Sequence, residues 1–158
     1  MTKMLRHLDG WLTKAAAHAE AKKYDTAVLV QTRLTPDMFP LARQVQSACD
    51  TAKFAAARLT GKEAPSHPDT ETTFAELSAR IGKVVDYLNT FTAADFADVD
   101  SRTISLPRWE GKSMTVIDYF VEHAVPNLFF HVTTTYAILR QAGVDIGKRD
   151  YLGKLSLR

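Results

Sequence analysis

Beyond its charged residues, this 158-residue chain has few side chains of types that do chemistry: one Cys, five His, and scattered amides and hydroxyls among apolar helical residues. The strongest pattern surrounds His131. Positions 127, 131, 134, 138 and 142 fall on one strip of a helix and carry Asn127, His131, Thr134, Ile138 and Ala142. The segment around that strip is apolar on most sides, as expected of a helix packed in a bundle. Buried polar groups need partners, because each one left unpaired costs about 1–3 kcal/mol. The strip therefore forms either a structural network or the wall of a polar pocket, and the residues alone leave both open.

The remaining candidates read more plainly. His7 and His18 share a flanking strip of the first helix with Trp11 and Lys14, which marks surface or interface positions. His67 stands between two prolines in a loop and reads as solvated, while His123 precedes Pro126 and reads as a capping or helix-end residue. Cys49 lies within an apolar stripe, the setting of an inert buried thiol. As the lone Cys it cannot form an intramolecular disulfide, so nothing points to an oxidising compartment. Three catalytic signatures fail on spacing. GVDIGKR has three residues between Gly143 and Gly147 and an Arg after Lys148, where a phosphate loop needs four residues and then Ser or Thr. One Cys and scattered His cannot build a finger or ribbon zinc site, and G-x-S-x-G is absent.

The elements that must position these residues are helices. Residues 2–23 put Leu5, Leu8, Leu12, Ala15, Ala16 and Ala19 on one stripe at steps of three and four. The segment 26–34 suits a short helix or an extended piece. Pro36 then predicts the first turn of a second long helix over 37–60, with Met38, Leu41, Val45, Ala48, Cys49 and Ala52 inward and Gly61 as its stop. Asp69 or Thr70 is expected to cap a third, reaching about Asn89. Thr92 to Asp95 reads as the cap of a short turn, and SRTISLPRWEG as a small hairpin with Pro107 near its turn. A fourth helix is expected to start at Ser113 or Thr115, meet Pro126, and resume to about Ala142. The fold class is therefore all-α, a four-helix bundle with a small irregular or β-hairpin insertion between the third and fourth helices.

Composition bounds the function classes. Twenty Lys and Arg face eighteen Asp and Glu, a net charge of +2, which lacks the cationic excess that nucleic-acid binding requires. The basic tail from Lys148 to Arg158 reads as a solvated end. The stretch from Ala124 to Leu139 is free of charged residues, yet it is too short and too polar for a bilayer helix of about 20 apolar residues. The start, MTKMLRHLDGW, lacks a signal peptide's apolar core. Residues 1–158 are expected to form one cytoplasmic domain with neither a nucleic-acid nor a membrane partner.

Three stretches carry a resemblance: PDMFPLARQVQSACDTAK at 36–53, PNLFFHVTTTYAILRQAGV at 126–144 and IGKRDYLG at 146–153. They resemble a bacterial domain-of-unknown-function family within the DinB-like, or YfiT-like, metalloenzyme superfamily, and the similarity spans the whole chain. The resemblance implies a four-helix bundle, a homodimer, and a divalent metal held near one end of the bundle by three His, one on the second helix and two spaced by four on the last. Carried across, His131 matches the second His of the last helix, Asn127 falls where the first would be, and Gln44 is placed at the second-helix position. Two of the three imidazoles are thus amides, weak ligands for zinc or nickel. Asp37, two turns earlier on the same edge, would supply a carboxylate, and Tyr136 would pack below the site. The implied function is a small-molecule pocket around Gln44, Asn127 and His131. The alternatives are a metal-dependent hydrolase or thiol-conjugating transferase with its metal on His131, and a non-catalytic structural or stress-associated dimer.

Overall fold

The computed structural model describes residues 1–157. Helix α1, Thr2–Lys22, buries Leu5, Leu8, Trp11, Leu12, Ala15 and Ala19 and ends on Lys23 in the left-handed conformation. Asp25 caps the short α2, Thr26–Gln31, by accepting from the Ala27 N–H at 2.8 Å. The second long helix, α3, spans Leu41–Thr60 and starts after Pro40, not after Pro36. A helix running from residue 37 would carry Pro40 beyond its first turn, where the proline has no N–H to donate and its ring collides with the carbonyl four residues back. Residues 32–40 instead form an irregular strap whose end is tied by Leu41 N–H to Thr32 C=O at 2.9 Å. Gly61, at φ 70°, ends α3 as expected.

Helix α4, Phe74–Asn89, begins three to four residues later than Asp69 or Thr70 would have set it. Thr73 caps it: its hydroxyl accepts from Glu76 N–H at 3.2 Å, and Glu76 returns a carboxylate oxygen to Thr73 N–H at 3.0 Å. This reciprocal pair satisfies two orphan donors at once, which a lone Asp69 or Thr70 cannot do. Asp69 is instead drawn into an ion pair with Arg43. The insertion then follows. Thr92 and Asp95 cap a short 3₁₀ turn as expected. Strands β1, Thr103–Ile104, and β2, Met114–Thr115, pair antiparallel with Thr103 opposite Thr115. Pro107 lies in a 3₁₀ turn within the loop between them.

The fourth long helix is continuous through Pro126. Thr115 caps α5, Val116–Asp118; residues Tyr119–Ala124 form a π-helical turn; and α6 runs Val125–Gln141. In the wide turn, Val125 N–H bonds back to Phe120 C=O, five residues away, immediately before the proline that lacks a donor. The turn absorbs the proline without breaking the rod. A last short helix, α7, Lys148–Leu152, docks on α1: Tyr151 stacks on Trp11 at 5.5 Å, His7 Nδ1 bonds Tyr151 C=O at 2.9 Å, and Lys14 pairs with Asp150 at 2.6 Å. The strip of His7, Trp11 and Lys14 is thus an interface within the chain. Lys148, Arg149 and Lys154 stay exposed, but the segment bearing the first two is anchored rather than simply solvated, and Arg158 lies outside the described residues. Gly153 follows at φ 60°, where a Cβ would collide with the His7 ring.

The main core joins α1, α3, α4 and α6, with α3 packed most extensively on α6. A second cluster of Ala55, Ile104, Leu106, Val116, Tyr119 and Ala124 fixes the insertion against α3 and the π turn. Cys49 is fully buried, and burial pushes its thiol up to about 12. No helix among the described residues is long and apolar enough to cross a membrane.

Candidate binding cleft

A cleft of about 400 Å³ separates α3 from the α5–α6 rod. Its walls follow from two helical periodicities. On α3, Ser47, Thr51, Phe54 and Arg58 recur at steps of four, three and four, beside the core stripe and not within it. On the opposite wall Tyr119, His123, Asn127 and His131 recur at steps of four, across the π turn and Pro126.

His131 is buried, and its contacts fix its chemistry. Gln44, itself 1 % exposed, donates from Nε2 to the Phe39 carbonyl at 3.2 Å, which orients its amide so that Oε1 meets His131 Nδ1 at 2.8 Å. An amide oxygen only accepts, so the imidazole proton sits on Nδ1 and Nε2 remains an acceptor. Burial, and then the nearby Arg43 charge, hold the His131 pKa below its ordinary value, so the ring is neutral at pH 7. Asn127 is set by a parallel device. Its Nδ2 donates to Thr51 Oγ1 at 2.6 Å, while the Thr51 hydroxyl donates to Ser47 C=O at 2.7 Å. The Asn127 carbonyl Oδ1 is left as its acceptor. Thr134 and Thr135 bond the carbonyls four residues back, at 2.7 and 2.9 Å. The polar strip of the last helix is therefore divided between a structural network and a pocket wall.

Gln44, Asn127 and His131 do gather on this side of the bundle, with Gln44 behind His131. Asp37 and Tyr136 do not join them. Asp37 is exposed on the 32–40 strap and bonded to Thr35 Oγ1 at 2.7 Å, because α3 starts too late to carry it. Tyr136 packs edge-on to Trp11 and Tyr151, at 5.6 and 5.7 Å, between α6, α1 and α7. The sequence reading missed Thr51, Arg58, Arg108, Tyr119 and His123. The step of four through 119, 123, 127 and 131 was the available signal, and treating Pro126 as an interruption hid it.

The upper wall is a row of alternating rings and cations. Arg58 donates to the Tyr119 hydroxyl at 2.8 Å and lies over the Phe54 ring at 4.9 Å. His123 stacks on Tyr119 at 5.2 Å, and Arg108 from the insertion meets His123 Nε2. Behind the cleft floor lies an ion network. Arg80, 2 % exposed, bonds Asp50 at 2.8 Å, Glu71 at 3.0 Å and Asp69 at 3.0 Å, and the buried Lys53 shares Asp50 at 2.9 Å. Burial opposes the Arg80 charge, but the Glu71 hydrogen bond and the surrounding carboxylates outweigh it and raise its pKa. His67 approaches Lys53 at 3.5 Å and is half-buried, not free in solvent.

These residues do not fit a three-imidazole metal site. His131 is the only imidazole of the three, and with its Nδ1 proton bound to Gln44 it offers a single nitrogen, Nε2. Asn127 presents its amide nitrogen to Thr51 and only a neutral carbonyl elsewhere. Among the described residues no three His, Cys, Asp or Glu side chains converge in a metal-ligating group.

The helical bundle with its hairpin insertion is the fold of a solved protein of the DinB type. A solved crystal structure of a DinB family member protein from Shewanella denitrificans is 53% identical, with a TM-score of 0.96, covering 99% of this chain and 89% of that one. Residues 1–152 match the family DUF1993, a domain of unknown function, and the chain belongs to that family. No curated protein matches it.

Proposed function

We propose that the α3/α5–α6 cleft binds a small polar molecule, recognised at its lower end by Asn127 Oδ1 and His131 Nε2. The observation that carries this is the fixed orientation of both side chains. Thr51 and Gln44 take up one polar atom of each, which pre-organises the other as an acceptor in the cleft they line. Such a volume with a few oriented polar groups is typical of small-ligand sites. A crystallographic fragment screen on the full chain tests it. Polar fragments should collect between Asn127 and His131, and a screen whose hits all lie elsewhere overturns the reading. Stoichiometric zinc or nickel in untagged protein, lost in His131→Ala, would replace it with the metal-dependent alternative.

We also propose that the chain forms a homodimer through the outer side of its last helix. Exposed Ile117, Val121 and Phe129 recur there at multiples of four residues, an apolar stripe of the kind helix pairs bury.

A further inference from the structure

The upper end of the same cleft specifies a charge. We infer that Arg58 and Arg108 receive an oxyanion there, a carboxylate or phosphate group. Building on the small-molecule reading above, the ligand is then a small organic anion that also carries a hydrogen-bond donor for Asn127 and His131.

Three observations meet at this point. First, these two guanidiniums carry unbalanced charge. Among the described residues neither has a carboxylate within ion-pair distance, whereas Arg43 pairs with Asp69, and Arg80 with Asp50, Asp69 and Glu71. Asp50 is the only acid on the cleft wall, and its Oδ1 already serves both Lys53 and Arg80. Second, the row has donors without acceptors. The Tyr119 hydroxyl accepts from Arg58, so its own hydrogen needs an acceptor, and the residue is 1 % exposed with none among the described residues. An arginine only donates, so His123 Nε2 is the acceptor of Arg108 and the imidazole proton lies on Nδ1. That Nδ1 is buried with no partner. Buried donors left unsatisfied are rare in folded proteins, and an oxyanion, which only accepts, is the complement of two unpaired guanidiniums flanked by such donors.

Third, the imidazoles sense the positive field. Burial and then the charges of Arg108 and Arg58 lower the His123 pKa, as burial and Arg43 do for His131. Both rings therefore stay neutral beside the guanidiniums. The Tyr119–His123 stack joins Arg58 to Arg108, so the two cations sit at the ends of one rigid aromatic spacer. Planar guanidiniums held this way match the geometry of carboxylate and phosphate oxygens.

The test is a titration of the full-length protein with inorganic phosphate, and separately with glycolate, at constant ionic strength. Calorimetry and the His123 and His131 imidazole resonances give the readout. Saturable binding at one site is expected, weakened roughly tenfold or more in Arg58→Gln and in Arg108→Gln. Arg58→Lys should lose less, and Arg149→Gln should change little because Arg149 is an exposed cation of α7 outside the cleft. Arg108 is exposed, so its variant tests the site without endangering the fold, and melting curves confirm that the Arg58 variants are folded. Phosphate and glycolate that bind without saturation, or equally to the Arg58→Gln and Arg108→Gln variants, overturn the inference. If neutral glycolamide shifts His131 while both anions fail to bind, the anion reading falls and the pocket stands. If no probe of either charge shifts His131 or His123, both fall.

Discussion

Replacing Arg80 with Met is expected to cost more stability than any other single loss of charge in the chain. The guanidinium side chain is 1 % exposed and bonds Asp50 at 2.8 Å, Asp69 and Glu71 at 3.0 Å and the Pro68 carbonyl at 3.2 Å. Removing one member of a buried ionic group costs about 3–5 kcal/mol when the remainder stays sealed from water. Here the remainder is not fully sealed. Asp50 and Asp69 are 26% and 34% exposed, Glu71 12%, and Lys53 still neutralises Asp50. Met fills most of the aliphatic volume, so little cavity is left. The expected loss is therefore about 2–4 kcal/mol, which for a domain of this length lowers Tm by about 5–15 °C. Urea melts and calorimetry at pH 7 measure it. A loss below about 1 kcal/mol, within the range of exposed ion pairs, would refute the reasoning.

Other consequences can be checked as directly. His131 has a folded pKa below its ordinary 6.5, so below that pH the unfolded chain takes a proton that the folded chain refuses. Stability should be flat above about pH 7 and fall as pH drops through the window beneath 6.5, with a smaller slope in His131→Gln; an unchanged slope in urea melts would remove His131 as its source. Cys49, buried with its thiol pushed up to about 12, should resist an aromatic disulfide reagent in native buffer and react stoichiometrically in denaturant. Prompt native labelling would show that α3 opens. Sedimentation velocity should find a homodimer that Val121→Glu dissociates, and a wild-type monomer at tens of micromolar would exclude that interface.

Legibility in the sequence followed the kind of physics involved. Apolar periodicity located all four long helices, since burial repeats every three to four residues and leaves a trace in residue type. It also put Cys49 inside and Asn127 with His131 on a special strip. Boundaries fared worse because competing signals overlap. Pro36 looks like a helix start until Pro40 vetoes it, and Thr73 outcompetes Asp69 only through its reciprocal bond with Glu76. Tertiary facts left the faintest trace. Nothing local shows that Tyr151 will stack on Trp11, or that Arg108, carried on the insertion, will reach His123. Asp37 was misplaced for the same reason that α3 was drawn too long. Tyr136 was misplaced because a helix has several faces and its pattern does not say which neighbour each one meets.

The wide turn at Tyr119–Ala124 has a consequence in angular phase. Four residues of α-helix turn through about 400°, overshooting a full circle by about 40°. A row at steps of four would then precess by about 120° between residues 119 and 131, enough to carry Tyr119 off the face that holds His131. A turn closed by a bond to the fifth residue fits more residues into each circle, so steps of four fall short within it and cancel the precession. Winding the same residues as ordinary α-helix would instead leave Tyr119 and Asn127, eight residues apart, about 80° out of phase. The alignment of the upper and lower halves of the cleft is thus a property of one turn, separable from the fold that carries it.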